Sequence, residues 1–114
     1  MMGRCVTLRA MVDSGNLLRD PVSGRSVIVA EREKLREILP NGLEGDAWMR
    51  DAELARRVRL IPARTATGEG MLRAILPDRL TVTDGRERYS SGDLLAPAEL
   101  GDRAQGFDAL ISPD

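Results

Sequence analysis

The feature that most constrains this chain is an alternating apolar segment that runs directly into Asp13-Ser14-Gly15. From Cys5 to Val12, every second side chain falls on the same face, which predicts a half-buried β-strand. A strand that ends on a carboxylate, a hydroxyl and a glycine has two interpretations. It ends in an ordinary turn, in which Asp13 bonds its own backbone, or it holds one carboxylate at a fixed place.

Composition excludes several kinds of catalytic site. The 114 residues include no His and one Cys, which rules out Ser-His-Asp triads, Cys-His pairs, His-containing zinc sites and an internal disulfide. The lone Cys5 fits a reducing compartment. Seventeen basic and eighteen acidic residues are interspersed, so no patch for nucleic acid or a membrane surface is expected. We expect no metal and no cofactor, and no apolar run approaches the roughly 20 residues of a membrane span.

The patterns along the chain predict one mainly β domain over residues 1–114, with one or two short helices. Apolar runs separated by turn residues predict strands at 5–12, 27–29, 57–62, 70–77 and 79–90, the last with a hairpin turn at Asp84-Gly85. Residues 31–42 predict a helix with Leu35, Ile38 and Leu39 on one face, and residues 46–57 a second one. The closing GFDALISPD fits either a helical turn or a last strand.

The strand followed by Asp-Ser-Gly is typical of aspartic peptidases. Their chemistry uses two carboxylates that share one proton, so that the pKa of one rises and that of the other falls. The ionised carboxylate takes a proton from water while the protonated one polarises the scissile carbonyl. Thr83-Asp84-Gly85 has its residues in the wrong order and lies in a predicted turn. A chain with one Asp-Ser-Gly can therefore build the pair only as a homodimer, with Asp13 from each subunit.

Three segments carry a resemblance to a known family: LRAMVDSGNLLRDPVSGRSVIVAE, RVRLIPARTATGEGMLRAILPDRLTV and FDALISPD. Together they resemble the peptidase domain of the sporulation sigma-E factor processing peptidases, which are similar to retroviral aspartic peptidases. The resemblance implies a retropepsin-like closed β-barrel half that acts as a homodimer. It also implies an aspartic endopeptidase that removes the N-terminal pro-segment of a sigma factor precursor.

The same resemblance implies roles for particular residues. Asp13 matches the catalytic aspartate, and the loop that supports it consists of Ser14, Gly15 and Asn16. The flap over the substrate would have its tip at Thr67, Gly68, Glu69 and Gly70. The partners implied are a second copy of the chain, the sigma factor precursor and an activating protein. The family's domain lies on the cytoplasmic face of a membrane, held there by an N-terminal membrane half; this half and the first strand are expected to be missing from the present chain.

Two alternatives stay open. The chain could be a peptidase-like β domain that no longer cleaves and serves as a binding or assembly module, which Ala96 in place of a glycine and the missing first strand favour. It could also be a β domain whose Asp-Ser-Gly is only a turn.

Asp20 precedes Pro21 and is interpreted as a turn residue rather than a partner of Asp13. The arginines at 59, 64 and 73 either line a groove for an acidic substrate or form a solvated strand face.

Overall fold

The computed structural model describes residues 4–13, 18–39, 43, 47–65, 68–84 and 87–112. Within these ranges the chain forms eight strands: β1 (Ala10–Val12), β2 (Val27–Glu31), β3 (Val58–Thr65), β4 (Gly68–Ile75), β5 (Thr81–Asp84), β6 (Glu87–Ser90), β7 (Leu94–Ala98) and β8 (Ala109–Ile111). The helices are α1 (Arg32–Leu35), α2 (Ala52–Arg57) and two 3₁₀ helices, Ala47–Arg50 and Gly101–Ala104. The prediction of a mainly β chain with one or two short α-helices is confirmed.

Six of the strands form one sheet in the order β1-β8-β2-β7-β4-β3, and β5 and β6 form a separate hairpin. β1 runs parallel to β8, β2 runs parallel to β7, and β2 is antiparallel to β8. The sheet formed by the described strands is open, with β1 and β3 at its edges. The closed barrel half implied by the resemblance is therefore not seen in the pairing of these strands.

The two central strands β2 and β7 are apolar on both faces, as expected of parallel strands covered on both sides. Successive residues of β2 therefore enter different clusters: Val27 packs with Leu94, while Ile28 packs with Leu95. Further buried side chains complete these clusters, with Ile61, Ala74 and Ala96 in the first and Leu35, Leu54, Val58 and Ile75 in the second. The sheet thus carries core on both of its faces.

Both predicted helices form, but each covers fewer residues than the sequence pattern predicted. After α1, the N–H groups of Ile38 and Leu39 both donate to the carbonyl of Leu35 at 3.0 Å, so one further turn follows the helix. Leu35 and Ile38 are buried and Leu39 half-buried, which confirms the predicted apolar face. The second predicted helix divides into the 3₁₀ helix Ala47–Arg50 and α2.

Strand β1 covers only the last part of the predicted segment 5–12. It lies at the edge of the sheet and its one neighbour, β8, offers three residues for pairing. The side chains also differ from a simple alternation: Met11 packs on a third cluster that includes Leu110, whereas Val12 is 67% exposed. For the closing segment, the structure favours the strand over the helical turn.

Candidate active site

Asp13 directly follows β1, at the carboxyl end of the strand. Its backbone N–H donates to the carbonyl oxygen of Ile111 at 2.9 Å. Since Val12 pairs with Ile111 in a parallel register, Asp13 stands where two parallel strands end together. Its side chain is half-buried. The backbone of Asp13 is thus fixed at the end of β1 by its bond to β8, and the catalytic role of its carboxylate stays a prediction.

The last described residue, Ser112, lies at the same end of the sheet. Continuing the register of β1 and β8 by one residue sets Ser112 opposite Asp13. Ser112 is buried, and it follows Leu110, which is paired with Val29 of β2. Composition and local pattern did not single out Ser112 or the Ile111 carbonyl. The closing FDALISPD segment carried the resemblance to the family, but it gave no role to either residue.

Ser14, Gly15, Asn16 and Thr67 lie outside the described residues. The chain is described again from Leu18, whose carbonyl accepts a hydrogen bond from the N–H of Val27 at 3.1 Å. Because β2 is antiparallel to β8, its first residue lies at the end of the sheet where β8 finishes. The segment between Asp13 and Leu18 therefore begins and ends at the same end of the sheet.

The predicted flap corresponds to the long hairpin β3–β4. Thr65 pairs with Gly68, and the two residues between them lie outside the described part of the chain. Gly68 and Glu69 belong to the paired part of β4, and Gly70 pairs with Ala63. Of the predicted tip, Gly68 to Gly70 therefore lie in β4 and Thr67 lies outside the described residues, so its role as a flap stays a prediction. Three strands separate β4 from β1 in the sheet, so the hydrogen-bonded order does not bring this hairpin beside Asp13.

Asp20 is a turn residue, as predicted. Its Oδ1 accepts from the N–H of Val22 at 3.1 Å, and its Oδ2 accepts from the hydroxyl of Ser23 at 2.7 Å. The bond from Ser23, followed by that from Val22, lowers the pKa of Asp20 below its ordinary value. Gly24 closes the turn with a φ of 76°, a left-handed conformation that suits glycine. Both carboxylate oxygens of Asp20 are therefore engaged within the turn.

Asp93, just before β7, is another carboxylate at this end of the sheet. Burial raises the pKa of Asp93, partly offset by a hydrogen bond from Ser91 and the charges of Arg19 and Arg25. Two strands, β8 and β2, lie between β1 and β7. At about 4.8 Å per strand, the ends of β1 and β7 are about 14 Å apart. That separation is too large for a pair of carboxylates that share a proton.

Comparison with known proteins identifies the family. The family model Peptidase_U4, described as "Sporulation factor SpoIIGA", matches residues 1–114. The chain belongs to this family. Searches of curated proteins and of solved structures gave no match. The SpoIIGA match confirms the resemblance drawn from the three segments, and it assigns the chain to a peptidase family of sporulation.

Three further observations bear on this SpoIIGA-family chain. No group of three or more His, Cys, Asp or Glu residues suited to a metal ion occurs in the part of the chain that the structure describes. Within the same part, none of the helices has the length and apolar character needed to cross a membrane. Arg59 donates to the carbonyls of Arg56 and Val58 at 2.7 and 2.9 Å, so its guanidinium is engaged with the end of α2. This arrangement favours a structural role for Arg59 over a substrate groove.

Proposed function

We propose that this SpoIIGA-family chain is an aspartic endopeptidase domain spanning residues 1–114, which cleaves as a homodimer with one Asp13 from each subunit. The observation that carries the proposal is the place of Asp13. It ends a strand packed on β8, its N–H is fixed on the carbonyl of Ile111, and it belongs to a chain of a peptidase family.

The carboxylates that the structure describes near the end of β1 support the proposal of a second subunit. Asp20 is engaged in its own turn, and Asp93 lies about 14 Å away by strand spacing. A two-fold axis beside Asp13 would instead bring two identical carboxylates together. The exposed Val12, next to Asp13 on the edge strand, is apolar surface that such an axis would cover.

In the proposed mechanism, the two Asp13 side chains hold one water and share one proton. The ionised Asp13 takes a proton from the water as its oxygen attacks the scissile carbonyl, and the protonated Asp13 donates a hydrogen bond to the carbonyl oxygen. The Asp13 that took this proton then gives it to the leaving nitrogen, and the C–N bond of the tetrahedral intermediate breaks, which returns the pair to its starting state. Ser14, Gly15 and Asn16 are proposed to support the carboxylate, and residues 67–70 of the β3–β4 hairpin to close over the substrate.

We propose a sigma factor precursor as the substrate, with the pro-segment at its N-terminus as the part removed. The domain would act on the cytoplasmic face of the membrane in the mother cell of a sporulating bacterium, and an activating protein would time the cleavage. These points rest on the family to which the chain belongs.

The first test measures precursor cleavage against chain concentration. A rate that rises with the square of concentration at the dilute end, and that Asp13→Asn abolishes, is the expected result. Asp102→Asn is the matched control, since Asp102 is an exposed carboxylate in the 3₁₀ helix Gly101–Ala104. A first-order rate, or an Asp13→Asn chain that still cleaves, would overturn the proposal.

A mixing experiment separates a shared site from a site within one chain. An excess of Asp13→Asn chain added to the wild type should suppress cleavage, because most wild-type chains would then be paired with an inactive partner. Undiminished activity would mean that each chain carries a complete site.

The binding-module alternative predicts precursor binding without cleavage at any concentration. Ala96 itself does not favour it, because its methyl group is fully buried in the cluster with Val27 and Leu94 and is accommodated there.

A further inference from the structure

We infer that Asp108 is a positioning residue that fixes β1 on β8 and thereby sets the place of Asp13; the inference rests on the proposed function of Asp13. Asp108 immediately precedes β8, and its partner Arg9 immediately precedes β1. The backbone N–H of Arg9 donates to Oδ2 of Asp108 at 2.9 Å. In return, the backbone N–H of Asp108 donates to the carbonyl of Arg9 at 2.7 Å.

This reciprocal pair lies at the opposite end of β1 from Asp13. One end of the strand is held by Asp108, and the other by the bond from the Asp13 N–H to the carbonyl of Ile111. A three-residue edge strand has few ladder bonds, so these end contacts are a large share of what fixes its register. A slip of one residue would turn every side chain of the strand, including the carboxylate that follows it, to the other face.

Asp108 also connects β1 to the centre of the sheet. Its carbonyl accepts from the N–H of Glu31, the last residue of β2, at 2.8 Å. The Oε2 atom of Glu31 in turn accepts from the N–H of Leu100, beyond β7, at 3.2 Å. A line of hydrogen bonds thus crosses β1, β8, β2 and β7 at the end of the sheet away from Asp13. Asp108 therefore joins the edge strand to the buried strands: its side chain and N–H bond Arg9, and its carbonyl bonds Glu31.

A contact between side chains also holds Arg9 beside the start of β8. The guanidinium carbon of Arg9 lies 5.1 Å from the centre of the Phe107 ring, within the range of a cation–π interaction. Phe107 is the residue before Asp108, so both contacts hold residue 9 against the start of β8.

The test is amide hydrogen exchange on the full chain, read by NMR at Arg9 and Asp13. Asp108→Ala removes the acceptor and should speed exchange at both amides by about tenfold. Asp108→Asn keeps a side-chain oxygen as acceptor and should restore most of the protection. The Leu76 amide is the internal reference, because it donates to the carbonyl of Arg57 at 2.9 Å in a distant part of the sheet. Asp102→Ala is the matched control for loss of an exposed carboxylate.

Three results would overturn the inference: unchanged exchange at Asp13 in Asp108→Ala, an equal rise in exchange at Leu76, or an Asn variant no better protected than the Ala variant.

Cleavage activity is measured in a separate experiment. On the precursor, Asp108→Ala should lower kcat about tenfold or more with KM nearly unchanged, and Asp108→Asn should recover most of it. If Asp13→Asn still cleaved, the proposed function would fail while the exchange result stood. If exchange at Asp13 did not respond, the positioning role would fail whatever the activity.

Discussion

Asp20 illustrates how one residue can be charged, buried and structural at once. Only 2% of its surface is exposed, yet both oxygens are bonded within the turn, and the Nε atom of Arg59 lies 3.9 Å from Oδ2. The sequence predicted this role from Pro21, because turn residues act through bonds to their near neighbours. A local role of this kind can be predicted from a local pattern.

The lowered pKa of Asp20 predicts that the stability of the protein depends on pH. The folded state favours the charged carboxylate of Asp20. The stability that this charge contributes is therefore present above the ordinary carboxyl pKa and is lost as the pH falls through the lower pKa of the folded state. Asp20→Asn should therefore lower the melting temperature by several degrees at pH 7. The difference in melting temperature between this variant and the wild type should become smaller below about pH 4. Asp102→Asn is the matched control for the loss of an exposed carboxylate. A difference in melting temperature that stays constant from pH 7 to pH 3 would contradict an electrostatic origin of the stabilisation by Asp20.

At the scale of elements, local signals predicted that strands and helices exist but not how they are placed. The alternation over 5–12 predicted a strand, yet it did not indicate that Met11 would pack and Val12 would be exposed. That outcome depends on β8, about a hundred residues away along the chain, and on the edge position of β1. For the same reason the pattern located the Asp13 carboxylate but missed its anchor at Ile111 and the acceptor at Asp108.

Helix α2 offers a prediction at this scale, because one side chain caps it. The Oδ1 atom of Asp51 accepts from the N–H groups of Glu53 and Leu54 at 3.0 and 3.1 Å, which satisfies two of the free donors at the helix start. Asp51→Ala should destabilise the protein by about 1 kcal/mol, measured by urea unfolding. Asp51→Ser keeps a capping oxygen and should lose much less. Equal losses for Ala and Ser would mean that the cap contributes little.

At the scale of the whole molecule, the sheet joins the two ends of the chain. β1 from the beginning and β8 from the end pair side by side, and β2 connects them to β7 and the β3–β4 hairpin. Such long-range pairing follows from the burial of apolar strands in three dimensions, and no local pattern specifies which strands become neighbours. The resemblance implied a closed barrel half, which is not seen in the pairing of the described strands, and the strand order had to come from the structure.

Because the core clusters span several strands, loss of one buried side chain should destabilise the whole molecule. Leu94 is 1% exposed and packs with Val27, Ile61 and Ala74 from three other strands. Leu94→Ala should lower the free energy of unfolding by about 2–5 kcal/mol, a large part of the roughly 5–15 kcal/mol typical of a native domain.

The matched control is Leu60→Ala, since Leu60 lies on β3 with 45% of its surface exposed. It should change the free energy of unfolding by less than about 1 kcal/mol. Denaturant titrations give both values, and an unchanged slope for Leu94→Ala would show that the molecule still unfolds as one cooperative unit. Equal losses for the two leucines would contradict the assignment of the core to the cluster around Leu94. A reduced slope for Leu94→Ala would instead mean that the strands joined by this cluster unfold separately, and that Asp13 and the hairpin do not share a single cooperative fold.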